Sequence, residues 1–170
     1  MIQKFAKALV PIIRQQTQFT CCAASISACL KFFEKPYDED AVTKILKCVP
    51  KRGASWEEIL MCLQYFGMRG SLTIPCDFNI LKKWTDEGCP AIIGWNPQGR
   101  PWSHASVVCD VSEDKGVLVM DPNSINTNKT LKWWSFDDFS ERWYESSDDF
   151  IIRRPACKIE REVTSDGFLS

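Results

Sequence analysis

The stretch from Cys21 to Glu34 (Cys-Cys-Ala-Ala-Ser-Ile-Ser-Ala-Cys-Leu-Lys-Phe-Phe-Glu) is small or apolar on nearly every face. A helix with that pattern is buried all round rather than amphipathic. It must therefore lie at the centre of the fold, with other elements wrapped around it. The residues before it are opposite in character: Arg14-Gln15-Gln16-Thr17-Gln18-Phe19-Thr20 is polar and rich in Gln. The junction is a loop that runs into a helix N-terminus, and the pair Cys21-Cys22 stands on it. Unpaired backbone N–H groups and the helix dipole at such a position favour thiolate over thiol. A Gln a few residues upstream supplies a side-chain donor for a developing oxyanion. A base for this thiol, and an orienter for the base, would complete a nucleophilic site.

The remaining sequence sorts into helices first and strands second. Asp38-Glu39-Asp40 opens a helix to about Cys48, with its acids at the end the dipole prefers. Ser55-Trp56-Glu57-Glu58 reads as a capping box that starts a helix ending at Gly67. A short strand over 70–75 and a helix over 78–87 follow. Strands are then predicted over 90–95, 104–111, 116–121 and 130–134, a short helix over 137–143 and a last strand over 149–154. Helices segregated from strands imply an α+β fold. The expected organisation is one domain over residues 1–154, with residues 155–170, where apolar periodicity fades, as a loosely attached tail.

Composition narrows the function classes. A net charge of −1 gives no electrostatic case for nucleic acid or an anionic membrane surface. The apolar runs are far too short to span a bilayer, and residues 1–11 do not make a secretory signal. The nine cysteines are odd in number and irregular in spacing, with no Cys-x-x-Cys, and most sit inside apolar runs. They read as reduced core residues of a cytoplasmic protein rather than a disulfide framework. A zinc site needs ligand pairs at short spacing, and the sequence has a single histidine. Neither a metal nor a cofactor is expected.

That histidine, His104, follows the loop Asn96-Pro97-Gln98-Gly99-Arg100-Pro101-Trp102-Ser103 and begins a strand. Asp121 ends the next strand, before Pro122. If the two strands form a hairpin, with its turn at Ser112-Glu113-Asp114-Lys115, His104 and Asp121 come to the same edge of the sheet. An Asp beside a His fixes its tautomer and stabilises the imidazolium. Packing the helix N-terminus of Cys21 against that edge would place thiol, imidazole and carboxylate in series. Taken singly, each has an ordinary explanation: a core thiol, a hydrogen-bonded strand residue, turn chemistry at Asp-Pro-Asn. Their order and the hairpin geometry favour the joint reading. Trp102 and Trp95 flank the loop before His104 and either line a cleft there or fill the core.

The segment Arg14-Gln15…Phe19-Thr20-Cys21-Cys22-Ala23-Ala24 resembles the Cys box of the papain-like peptidases that process bacteriocin leader peptides after a double glycine. In that family a Gln lies six positions before the catalytic Cys. Ser103-His104-Ala105-Ser106-Val107-Val108 is similar to the family's His box, and Val119-Met120-Asp121-Pro122-Asn123 to its Asp-Pro box. Gly53-Ala54-Ser55-Trp56, Gly88-Cys89-Pro90-Ala91-Ile92-Ile93-Gly94-Trp95 and the aromatic segment from Trp134 to Trp143 continue the likeness. The resemblance implies a papain-like α+β fold, with N-terminal helices and a buried central helix packed on a C-terminal antiparallel sheet. It also implies a cysteine peptidase acting on a peptide or protein. Cys21 would be the nucleophile, His104 its base, Asp121 the orienter and Gln15 the oxyanion donor. One residue departs: Cys22 stands where the family usually has Gly, which crowds the backbone near the oxyanion site and leaves two thiols to choose between. The Gln spacing selects Cys21. No Gly-x-x-x-x-Gly-Lys-Ser/Thr motif is present, so a stand-alone domain is expected rather than an exporter-fused one. The same thiol chemistry would serve deamidation, transpeptidation or isopeptide cleavage, and a papain-like scaffold can also be an inactive binding module.

Overall fold

The computed structural model describes residues 7–50, 52–123 and 127–163, with the side chains of 127 and 128 left aside. The apolar run becomes α1 (Cys21–Phe32), in which Cys21 to Leu30 are all buried. Two helices lie beside it. α2 (Glu39–Ile45) starts at the Asp38 N-cap, and α3 (Trp56–Tyr65) starts at Ser55. The capping box expected there is formed: the Ser55 hydroxyl accepts from Glu58 N–H, and the Glu58 carboxylate accepts from Ser55 N–H at 2.8 Å. Gly67, just past the end of α3, takes the left-handed conformation that a residue with a side chain rarely adopts (φ 71°).

The strands and remaining helices follow in order: β1 (Met68–Thr73), α4 (Phe78–Asp86), β2 (Ala91–Trp95), β3 (His104–Ser112) and β4 (Gly116–Met120). Then come α5 (Thr127–Thr130), β5 (Leu131–Trp134), α6 (Phe136–Arg142), β6 (Tyr144–Ser146), β7 (Ile151–Arg153) and β8 (Ala156–Arg161). Six strands form one antiparallel sheet in the order β1-β8-β2-β3-β4-β5, and β6 and β7 form a separate hairpin. The fold is α+β, as expected.

The sheet has two faces and two cores. On one, α1 packs against β3 and α3 against β1, enclosing Ile26, Leu30, Leu63, Ile92, Val107 and Met120. On the other, α4 and α6 cover an aromatic cluster that includes Trp95, Phe139 and Trp143. The alternating residues of β2 separate cleanly, with Ile92 in the first core and Ile93 in the second.

Three features differ from the sequence expectation. The short helix α5 takes Thr130 from the expected strand, and β6 falls in the polar stretch after Trp143, where no strand is predicted. More consequential, residues 156–161 are not a tail. They form β8, which is hydrogen-bonded on one side to β1 and on the other to β2, with Ala156, Cys157 and Ile159 fully buried. Its apolar residues alternate with Lys158 and Glu160, which pair with one another, Lys158 also reaching Glu87 at the surface. A half-charged strand of this kind is stable between two neighbours because only one of its faces needs burial. Of the expected tail, residues 164–170 lie outside the described residues.

Candidate active site

The N-terminus of α1 is built without a capping side chain. Thr20 occupies the cap position, but its hydroxyl turns back to Thr17, accepting from Thr17 N–H at 3.0 Å and donating to the Thr17 carbonyl. The first turn carries no acidic residue. The positive end of the helix is thus left for whatever sits at Cys21.

His104 and Asp121 meet as the hairpin predicted, though not directly opposite one another. Val107 pairs with Met120, and a bulge between Val108 and Asp110 offsets the rest of the ladder. His104 is therefore a diagonal neighbour, reaching Asp121 from two residues further out. Its Nε2 lies 2.6 Å from Asp121 Oδ1. The same oxygen accepts from Asn123 N–H at 2.9 Å, and the backbone of Asp121 is held separately, its N–H donating to the Thr130 carbonyl at 2.7 Å. With Nε2 committed, Nδ1 is the ring nitrogen left for a thiol.

Cys21 lies close enough to His104 for each to shift the pKa of the other. Its pKa is driven well below the usual thiol value. The adjoining Cys22 thiol lowers it most. Burial opposes this, and the hydrogen bond and charge of His104 and the Ala105 backbone add to it. His104 shows the complementary shift. Burial pushes its pKa down, but Asp121 and Cys21 together outweigh burial and raise it from 6.5 to about 9. The two shifts are coupled, and both favour the thiolate–imidazolium form of the pair. Cys22, fully enclosed, is held protonated by its contact with Cys21 and by burial. The residue that departs from the expected Gly thus favours the thiolate form of its neighbour.

Gln15 is tethered to the same corner by its backbone, whose N–H donates to the Pro122 carbonyl at 3.0 Å. Its side-chain Nε2 donates one hydrogen to the Thr17 carbonyl at 2.8 Å, which leaves a second hydrogen on that nitrogen. Its Oε1 is buried without a partner. A groove beside His104 is lined by Gln15, Gln18, Asn96, Trp102 and Ser103. Asn96 braces the loop by donating to the Arg100 carbonyl and accepting from Arg100 N–H. The two tryptophans divide: Trp102 is half-exposed in this groove, whereas Trp95 is fully buried in the aromatic core, donating to Ser106 Oγ at 3.0 Å.

One residue of this neighbourhood escaped the sequence reading. Glu145 of β6 lays its carboxyl group over Gly94 of β2 and accepts from Trp56 Nε1 at 2.9 Å. Burial raises its pKa, the Trp56 bond opposes this, and the charge of Cys21 raises it further. Gly94 was the available signal, since a glycine inside a strand often marks the close approach of another group. Among the described residues, no group of His, Cys, Asp and Glu side chains is arranged to hold a metal ion.

A family model for the Peptidase C39 family matches residues 9–147. The chain belongs to this family. Its members are cysteine peptidases, and the protein is an enzyme of that class. Solved structures show the same fold. A double glycine motif protease from an AMS/PCAT transporter, crystallised with the leader peptide, is 19% identical, with a TM-score of 0.71, over 94% of this chain and 96% of that one. The peptidase domain of Streptococcus ComA is 16% identical, with a TM-score of 0.72, over 91% and 100%. A C39-like peptidase from Bacillus anthracis is 12% identical, with a TM-score of 0.69, over 94% and 98%. No curated protein sequence matches significantly. The expectation of a papain-like fold of the family is met. Among the described residues, no helix is long and apolar enough to cross a membrane.

Proposed function

We propose that this protein hydrolyses peptide bonds with Cys21 as nucleophile, His104 as general acid and base, and Asp121 as the residue that orients His104. Gln15 Nε2 and the Cys21 backbone N–H hold the oxyanion. The observation that carries this reading is the pairing of His104 Nε2 with Asp121 at 2.6 Å, with Cys21 at an uncapped helix N-terminus near enough to raise the His104 pKa.

The cycle uses only groups of this protein and water. The Cys21 thiolate attacks the carbonyl carbon, and the carbonyl electron pair moves onto oxygen, where the second hydrogen of Gln15 Nε2 and the Cys21 N–H stabilise it. The His104 imidazolium gives its proton to the leaving nitrogen, the C–N bond breaks, and an acyl-thioester remains. Water then attacks the thioester while neutral His104 takes its proton. The C–S bond breaks, and acid and thiolate are released. Asp121 keeps the ring in one orientation throughout.

A peptide substrate suits this chemistry, and the likeness to a protease crystallised with its leader peptide supports it. The working unit is a single domain that includes β8. The nine free thiols suit a reducing compartment such as the cytoplasm.

Labelling the native protein with iodoacetamide across pH, followed by peptide mapping, tests the assignment. Selective modification of Cys21 well below the free-thiol pKa of ~8.5 is expected. With a peptide substrate, mass spectrometry should show a cut backbone that is lost in Cys21→Ala and His104→Ala. Activity that survives Cys21→Ala but not Cys22→Ala would overturn the choice of nucleophile. A deamidated product in place of a cut one would overturn the reaction.

A further inference from the structure

The groove beside His104 carries only positive charge. Arg100 lines it together with Trp102, and Arg14 lines the adjoining hollow beyond Gln15 and Gln18. Among the described residues no Asp or Glu lines either one, in a chain whose acids outnumber its Lys and Arg. The nearby Asp121 is committed to His104 and to Asn123 N–H. The Arg100 guanidinium stands over the Trp102 ring, 5.6 Å from its centroid. Among the described residues no carboxylate pairs with it. Its ring partner Trp102 is half-exposed and adds little to the core. Displayed Trp and Arg side chains are the ones on which binding energy concentrates.

The loop that displays this pair is braced at both ends. Asn96 is buried, its N–H donates to the Arg142 carbonyl at 2.8 Å, and its side chain grips the Arg100 backbone through bonds of 2.7 and 2.9 Å. Gly99, in the left-handed conformation (φ 64°), makes the turn between them. At the far end the Ser103 hydroxyl accepts from Ser146 N–H at 2.9 Å and donates to the Ser146 carbonyl at 3.3 Å. A loop already fixed loses little freedom when a ligand binds. The position of the groove relative to the substrate follows from the chemistry. The leaving nitrogen takes its proton from His104, which lines the groove, so the substrate residues that begin with that nitrogen run into it.

We infer that Arg100 is a specificity-determining residue that takes the carboxylate of an Asp or Glu at the first or second position after the scissile bond, with Trp102 as the surface on which the guanidinium is stacked. The inference rests on the peptidase reading above. A guanidinium laid on an indole keeps its N–H donors free at the edge, where a carboxylate accepts two of them at once. No acid in the lining competes for that place. The residues before the scissile bond lie on the other side of the reacting carbon, and Arg100 places no demand on them.

A library of mixed-sequence peptides, amidated at their C-termini so that only side chains carry a carboxylate on the leaving side, tests this. The wild-type protein is incubated with the library, and the new N-termini are sequenced by mass spectrometry. Asp and Glu are expected to be enriched at the first or second position after the cut. Two versions of the best-cut peptide, with Glu or Gln at that position, should then differ in kcat/KM by about tenfold or more in favour of Glu, the scale of a hydrogen bond to a charged group. The Glu advantage should vanish in Arg100→Gln and reverse in Arg100→Glu. Taking the ratio within each protein cancels any loss of folded enzyme. Cuts without acidic enrichment in the wild type would overturn the inference and need no variant to fold. So would a Glu advantage that survives Arg100→Gln. The two levels separate on the wild type alone: cuts with no acidic preference defeat only the role of Arg100, whereas no cut at all defeats the peptidase reading and this inference with it.

Discussion

The two ends of α1 each stand among buried thiols, and those thiols have opposite chemistry. At the N-terminus of α1, Cys21 is only 7% exposed yet strongly disposed to ionise. Two turns further along, Cys29 is fully buried near Cys109 of β3 and Cys157 of β8, and burial raises all three, the last two to about 12. Burial is nearly equal in the two places, so burial does not make the nucleophile. The difference lies in charge: a helix terminus and the imidazole of His104 beside Cys21 and Cys22, against apolar neighbours, other thiols and backbone groups around the second set.

The largest test of that contrast removes the imidazolium. In His104→Ala, Cys21 is expected to lose its labelling at neutral pH and join the slow class of Cys29, while peptide cleavage falls by about 10²-fold or more, the contribution of general acid–base catalysis. Labelling of Cys21 at an unchanged rate would show that the helix terminus and Cys22 suffice without His104. Next, Gln15→Ala should lower kcat by about 10²-fold, the worth of one oxyanion donor, without moving the pH dependence of Cys21 alkylation. A shifted alkylation profile would mean that Gln15 acts on the thiolate instead. The pH profile of the wild type comes third. The folded pKa of His104 is raised above its ordinary 6.5, so the proton is retained up to about 9. Cleavage should therefore fall on the alkaline side as pH passes through that value. The stability contributed by the pairing of His104 should be complete below 6.5 and lost over the same rise. Smallest is Cys22→Ala: activity is kept, but the acid limb of Cys21 labelling moves to higher pH because the neighbouring thiol that favours the thiolate is gone. No movement at all would remove Cys22 from the comparison.

The residues that carry local signals were legible in the sequence. The apolar run gave away α1 because no other arrangement hides it, and the single histidine and the Asp-Pro turn came together because a two-strand hairpin constrains both ends. Sequence separation is what hid the rest. Glu145 sits in Tyr-Glu-Ser-Ser-Asp-Asp, which by composition is a solvated loop. Only its approach to Gly94, fifty-one residues earlier in the numbering, makes it part of the site. The strand β8 was missed for a related reason. Lys158, Glu160 and Arg161 lower its apolar content, and the alternation Cys157-Lys158-Ile159-Glu160 becomes decisive only once β1 and β2 are seen to flank it. The bulge in β3 also left no mark in sequence, although it sets the diagonal by which His104 reaches Asp121.

The place of β8 has a consequence for how the protein comes into being. Ribosomes deliver residues 156–161 after every other strand, yet the sheet needs them in its interior, with Met68 paired to Arg161 and Ile92 to Cys157. A nascent polypeptide lacking them has two unpaired strand edges and a core without Cys157 and Ile159. Such sequence-distant pairing is slow to form. The platform under Cys21 therefore closes only once residues 156–161 have been made, and a polypeptide that has not reached them carries Cys21 before it has the frame to use it.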